Sequence, residues 1–365
     1  MAASIFARGV RGLAPMPRST TSAQRFKSGG SALVAVVYVS EGRDDSVVDN
    51  LEKAAEDACM KHGARVVNVF RDVEYNRTGF TLGIKQQHPD GQEEVVKSRV
   101  VEALRQSALA LTERALSLID LREHSAMHPR CGVVDHISCH AIGDTDDAVA
   151  VNLARCLGER IGENLSVPVL LYGLASPIGV QLADLRRKYG YFRETAIRTD
   201  LESEYSRGGG WAGAHMVDGG CVDANYGPRN VPPEAGIIML GATRWVCNYN
   251  IPLSVTSISG QPLDRDVVLQ AARKVAKMVS ERGGGLPAVQ AMALLHGDGD
   301  GATMSVEVAC NLLDVALTDP AAVQAEVRRL CGKVAVPVDL LTWKVESGYQ
   351  TNLTPDRILA QLEDL

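Results

Sequence analysis

The stretch LVAVVYVSEG, residues 33–42, decides the fold class. Seven apolar residues rich in β-branched side chains, Leu33 to Val39, stop abruptly at Ser40-Glu41-Gly42, which reads as a strand entering a turn. Val47, Val48, Leu51, Ala54 and Ala55 follow at helical spacing, then RVVNVF at 65–70 and TGFTL at 78–82 as two more strands. A long helix is predicted over Glu93 to Leu121, from Val96, Val100, Ala103, Leu104, Leu111, Ala115 and Leu118. Gly132 to Ile142 completes a β-α-β-β-α-β series. A helix over Thr145 to Leu165, opened by a Thr/Asp cap, and strands at Val167 to Tyr172 and Gly236 to Ala242 come next.

The same series recurs after Trp245: strand to Ile251, helix Asp264 to Glu281, strands Val289 to Leu295 and Ser305 to Leu312, helix Asp319 to Val334, strand Val338 to Val345. Two adjacent strands between helices, twice over, predict an α+β protein of two ferredoxin-like (βαββαβ-type) subdomains. The expected division is 31–245 and 246–365. No GxGxxG joins a strand to a helix and no GxxxxGK[ST] is present, which excludes the nucleotide-binding sheets that depend on them. QQHPDGQ at 86–92 and the Gly-rich Ser206 to Gly220 read as loops.

Residues 1–30 depart from this pattern. They carry Arg8, Arg11, Arg18, Arg25 and Lys27, a Ser/Thr cluster at 19–22 and no acid. That composition is expected of a disordered organellar transit peptide. Mitochondrial import is favoured over plastid import, and a cytoplasmic protein follows if the segment is not a leader. Removing five positive charges from a chain of net charge −6 leaves −11 on the remainder. With 45% hydrophobic residues the chain has ample material for a core, and its diffuse acidity argues against a nucleic-acid partner. The longest apolar run is far short of a membrane span. Eight scattered cysteines without a CxxC pair fit a reduced compartment rather than a disulfide scaffold.

Four of the eight histidines fall between 124 and 140. His124/His128 and His136/His140 have the i,i+4 spacing of a helical metal site, but Pro129 turns His128 away from helix and a strand would hold His136 and His140 about 13 Å apart. No metal is therefore expected. The competing reading makes His128 a loop-borne acid/base, with Arg130 beside it as an anion anchor. Asp72-Val73-Glu74-Tyr75-Asn76-Arg77-Thr78 is a second polar cluster. Asn225 to Gly236, with three prolines, suits a preorganised ligand loop or a rigid linker. His296-Gly297-Asp298-Gly299-Asp300-Gly301 lacks the ligands of a calcium loop.

Five motifs, in order, carry a resemblance: Ser40-Glu41-Gly42-Arg43, Asn76-Arg77-Thr78, His128-Pro129-Arg130 with Gly132 and Asp135, Pro168 to Gly173, and Asn248-Tyr249-Asn250-Ile251. Over roughly residues 33–360 the chain resembles the glutamate formimidoyltransferase family. The resemblance implies a homodimer of two-subdomain chains with a ligand groove between the subdomains. It implies transfer of a formimidoyl group from N-formimidoyl-glutamate to N5 of tetrahydrofolate as co-substrate, without metal, membrane or nucleic acid. By position, His128 matches the catalytic histidine and Asp72 a nearby aspartate. Gly227-Pro228-Arg229-Asn230-Val231-Pro232-Pro233-Glu234-Ala235-Gly236 matches the segment that lines the folate. Asn76, Arg77 and Arg130 are assigned to the substrate, the two arginines on their chemistry as carboxylate anchors. Arg229 is a further charge for an anionic folate tail.

Two family acids are replaced, by Met127 before His128 and by Leu174 after Gly173. A cyclodeaminase domain, present in bifunctional members, is not expected here. Formyl transfer between 5-formyltetrahydrofolate and glutamate is the alternative within the class. A non-catalytic reduced-folate-binding protein and a metal-dependent hydrolase are the alternatives outside it.

Overall fold

The apolar run at Leu33–Val39 lies in a strand covered on both faces. In the computed structural model, which describes residues 30–86, 93–189, 191, 221–297, 301–333 and 341–363, it belongs to β1 (Ser31–Val39). Leu33, Ala35, Val37 and Val39 face one core, and Ala32, Val34 and Val36 face another. Alternation is lost because neither face meets water. Residues 1–29, where a transit peptide is expected, most of the turn at 86–92, the Gly-rich loop at 206–220, residues 298–300 and residues 338–340 lie outside the described residues.

Around β1 run α1 (Asp45–His62), β2 (Arg65–Asp72), β3 (Arg77–Lys85), α2 (Glu93–Leu118), β4 (Val134–Gly143), α3 (Asp147–Leu165), β5 (Val169–Gly173), α4 (Leu182–Lys188) and β6 (Ile238–Ala242). The six strands are ordered β2-β3-β1-β4-β6-β5. The first four strands are antiparallel neighbours in the ferredoxin-like order, as the sequence predicts. β6 and β5 then extend the sheet in parallel from β4, an addition that the βαββαβ reading alone does not contain. α1 forms where Asp44 caps the Ser46 and Val47 amides and Val48, Leu51, Ala55 and Cys59 make one buried stripe.

The second sheet is built from β7 (Cys247–Ser257), α5 (Arg265–Val279), β8 (Val289–Leu295), β9 (Thr303–Leu312), α6 (Pro320–Cys331) and β10 (Leu341–Val345). Its order, β10-β7-β9-β8, is the same antiparallel arrangement, with β11 (Tyr349–Gln350) added to β7. Asp264 and Asp319 cap α5 and α6, and Pro320 opens α6 where its missing amide costs nothing.

α4 and α7 (Pro355–Glu363) lie outside the two predicted series, although α7 opens on Pro355 and carries an apolar stripe at Ile358, Leu359 and Leu362. α7 turns back to the first sheet. Ile358, Leu359 and Leu362 join Ala32, Val34 and Val36, and Arg65 Nη1 donates to the Gln361 carbonyl at 2.8 Å. Among the described residues no helix is long and apolar enough to cross a membrane.

Candidate active site

Sheet register brings three loops to one place. β1 is antiparallel to both β3 and β4, so its C-terminal end meets their N-terminal ends, with Val39 opposite Thr78 and Val134. The turn Ser40–Arg43, the β2–β3 hairpin and the loop before β4 therefore converge, although they are about 90 positions apart in the chain. Ser40 Oγ donates to the Gly132 carbonyl at 2.7 Å and Thr78 Oγ1 to that of Glu41 at 2.6 Å. Arg43 donates to the carbonyls of Val73, Glu74 and Ser125, tying hairpin to loop.

Asn76 holds the centre of this junction in the left-handed region, φ 47°. Its Oδ1 accepts from the Gly42 amide at 2.8 Å and its Nδ2 donates to the Ser125 carbonyl at 3.1 Å. The amide is used internally, so Asn76 shapes the site through backbone rather than by presenting a free side chain.

His128 lies in the cavity between these loops, walled also by Tyr38, Tyr75, Arg77, Arg130 and Asp135. Its Nε2 is 2.8 Å from Arg77 Nη1 and its Nδ1 is 2.7 Å from the Pro129 carbonyl. A guanidinium only donates, so Nε2 accepts and the single proton sits on Nδ1. Burial, reinforced by the Arg77 charge, holds the imidazole well below its usual range. His128 is a neutral ring with its basic nitrogen aimed at a cation.

Three guanidinium groups surround it. Arg77 lies 5.6 Å from the Tyr38 ring and 5.5 Å from that of Tyr75. Arg130 is 6% exposed; burial lowers it to about 10, against the attraction of Asp135. Arg186, from α4, pairs with Asp135 at 3.2 Å and covers the Tyr191 ring at 4.3 Å. Asp135 also accepts from the Cys131 amide at 2.7 Å. Burial pushes its carboxyl up, but His136 and Arg186 outweigh that and keep it ionised. The Nε groups of Arg77, Arg130 and Arg186 are buried without hydrogen-bond partners among the described residues. Buried guanidinium N–H groups without a partner suit an incoming anion.

Asp72, 6% exposed, ends β2 and accepts from the Tyr75 amide at 2.8 Å. Burial raises its carboxyl, yet His296 and the Tyr75 amide more than compensate. Its Oδ1 is 3.6 Å from Nε2 of His296, which comes from the second sheet. Nearby, Glu307 on β9 is fully buried and accepts from Asn250 Nδ2 at 2.8 Å and Tyr349 Oη at 2.6 Å. Arg186, His296 and Glu307 were not predicted as site residues. Arg186 sits in an ordinary basic run and His296 in a Gly/Asp segment. Glu307 alone carried a signal, as a charge between Val306 and Val308 in an apolar strand.

The predicted folate segment takes a different position. Gly227 packs against Gly162 of α3 and the Val167 carbonyl, and Arg229 pairs with Asp223 at 2.8 Å on the surface. Only its far end approaches the cavity, where Gly236 lies on Gly132 and Cys131. Pro228 to Ala235 are not among the cavity walls. Met127 is buried in the second core and receives Arg265 Nη2 at 3.2 Å, whereas Leu174 is half exposed.

The four histidines find separate partners. His124 Nε2 is 3.0 Å from the Asn76 carbonyl, and His136 stacks on Tyr38 at 4.6 Å. His140 lies between Ser138 Oγ and the Thr243 carbonyl. Burial pushes His140 down to about 4 and His124 down to about 3. Above pH 6.5 neither folded nor unfolded state protonates these rings. Below it only the unfolded state does, so stability falls with pH. For His140 alone the expected loss between pH 7 and about pH 4.5 is roughly 2–3 kcal/mol. Urea midpoints of wild type and His140→Phe at both pH values check this, and the variant should lose less on acidification.

Paired βαββαβ units, with a buried imidazole where three loops of the first meet, define the α+β class of this chain. Residues 32–243 match the formiminotransferase domain, N-terminal subdomain. The chain is 34% identical to the formiminotransferase cyclodeaminase-like protein of Arabidopsis thaliana over 90% of its own length and 95% of that protein's. It is 27% identical to the glutamate formimidoyltransferase of Thermoplasma acidophilum over 73% of each. Against the formimidoyltransferase-cyclodeaminase of Rattus norvegicus it is 25% identical over 82% of this chain and 47% of that one. The chain belongs to the formiminotransferase family of one-carbon group transferases.

Proposed function

We propose that this protein transfers a formimidoyl group from N-formimidoyl-glutamate to N5 of tetrahydrofolate and releases glutamate. The observation that carries the reading is the neutral His128, its basic Nε2 held at 2.8 Å from Arg77 among guanidinium groups with open N–H positions. The donor's carboxylates suit Arg77 and Arg130, which grip such groups in pairs of hydrogen bonds. A carboxylate drawing Arg77 aside exposes Nε2, which then accepts the proton that N5 gives up. Asp72, kept ionised, stabilises the positive charge spread over the amidine. The stretch Gly227 to Gly236 is assigned to the folate, with Gly236 as its point of approach to the cavity.

Formyl transfer draws on Met127. A family acid beside His128 is replaced by Met127, whose apolar side chain lies in the second core, so one carboxylate fewer stands beside His128 to favour a cationic donor over a neutral one. One assay separates the readings. The protein is incubated with tetrahydrofolate and formimidoyl-glutamate, and separately with 5-formyltetrahydrofolate and glutamate, while folate absorbance is followed. Turnover only in the first mixture is expected. Turnover only in the second assigns formyl transfer, and binding without turnover in either assigns a folate-binding protein.

Arg130→Leu should raise KM for the donor at least about tenfold, because a charged hydrogen bond to carboxylate contributes about 1.5–3 kcal/mol. Initial rates across donor concentration, at saturating folate, measure it.

A further inference from the structure

The mechanism above gives His128 one proton to accept, yet the departing nitrogen also needs one. A second imidazole faces the same region from the other sheet. His296 follows β8, is partly exposed, and directs Nε2 to Asp72 Oδ1 at 3.6 Å. Its ring meets the Tyr75 ring at 4.8 Å, edge on, and the same Tyr75 ring meets His128 at 5.2 Å. Those two contacts cap the separation of the imidazole centroids at about 10 Å. An attacking nitrogen, a carbon and a leaving nitrogen, with a hydrogen bond at each end, span about 8 Å.

The surroundings of the two rings are opposite. Arg77 and Arg186 face His128, countered by the Asp135 carboxylate. Asp72 and Glu74 from the first sheet's hairpin and Glu307 from β9 face His296. Burial disfavours its charge, but these carboxylates prevail and raise it above 6.5. Paired titratable groups pushed apart in this way divide acid from base.

We propose that His296 is the general acid of the transfer, protonating the departing glutamate nitrogen, and that His128 serves as the base alone. The inference rests on the formimidoyl-transfer reading. As the N5–carbon bond forms, the N5 proton passes to His128 Nε2. As the carbon–nitrogen bond to glutamate breaks, its electron pair stays on nitrogen, which takes the His296 proton. One proton is gained by His128 and one lost by His296, and water returns the balance. With Nε2 toward Asp72, Nδ1 is the nitrogen left to donate, and Asp72 orients the ring as well as stabilising the amidine.

The test compares wild type, His296→Gln and His296→Ala with formimidoyl-glutamate and tetrahydrofolate across pH. His296→Gln should lower kcat about 10²- to 10⁴-fold with both KM values little changed. The alkaline limb of the wild-type pH–rate profile should disappear. Added imidazole should restore part of the turnover of His296→Ala, which no merely structural role predicts. A formimidoyl donor with an arylamine leaving group, needing less protonation, should be much less sensitive to His296→Gln while still requiring His128. Asp72→Asn should move the alkaline limb to lower pH. Wild-type turnover in His296→Gln, or slow turnover with the alkaline limb intact and no imidazole rescue, overturns the assignment and leaves the reaction standing. No turnover by wild type overturns both.

Discussion

His128→Ala is expected to lower kcat for formimidoyl transfer by about 10²–10⁴, the contribution of a positioned general base. The substitution removes the acceptor of Arg77 Nη1 and the donor to the Pro129 carbonyl. Two buried polar groups are left open, so some stability, about 1–3 kcal/mol, is lost as well. Loss of fold is separated from loss of chemistry by His128→Gln, whose amide can accept from Arg77 but is no base near neutral pH. Both variants should bind 5-formyltetrahydrofolate and lose turnover. The pH profile gives the second check. Because burial and Arg77 depress His128, its acid limb in wild type lies below pH 6.5, and that limb should be absent from the residual rate of either variant. Turnover within a few-fold of wild type in His128→Gln would remove His128 from the chemistry.

Gly42→Ala should damage both stability and rate. A Cβ on Gly42 would stand 2.6 Å from the Asp72 carbonyl oxygen, 2.7 Å from the Arg77 amide nitrogen and 2.9 Å from the Arg77 carbonyl oxygen. All three are backbone atoms of neighbouring strands, so no side chain can swing aside. Overpacking of this kind costs about 1–3 kcal/mol, which in a domain of 150–250 residues lowers the thermal midpoint by about 2–4 °C per kcal/mol. The hairpin that must shift carries Asp72 and Arg77, and a misplacement near 1 Å costs about 10²-fold in rate. Gly63→Ala is the control. Gly63 has φ 75° but nothing within 4 Å of an added Cβ, so it should lose about 1–2 kcal/mol and keep its kcat/KM. Thermal melts and initial rates on the two variants distinguish strain at the site from strain elsewhere.

These contacts also explain which motifs were readable. Gly42, Asn76 and Thr78 stand out as sequence motifs because they join the turn after β1 to the hairpin, a task that tolerates few side chains. Asn76 looked like a ligand for substrate, since a polar amide in a loop is equally suited to that. Only the hydrogen bonds to Gly42 and Ser125 show where its amide is used. Met127 is a comparable case. Beside His128 it reads as an acid lost from the cavity, and the folded chain gives it to the core of the second sheet.

The two βαββαβ series, the helix starts at Asp264 and Asp319, and the strand at Leu33–Val39 follow from the sequence alone, because each depends on periodicity or on neighbours within a few positions. Tertiary structure decided the rest. It set two parallel strands beside β4 and returned α7 to the first sheet. It placed Arg186 on Asp135, and His296 of the second sheet against Asp72 of the first. No local pattern encodes those choices. They arise from strand register and from contacts between segments more than 200 positions apart, and the charges of Asp72 and Glu74 reach His296 only across such a distance.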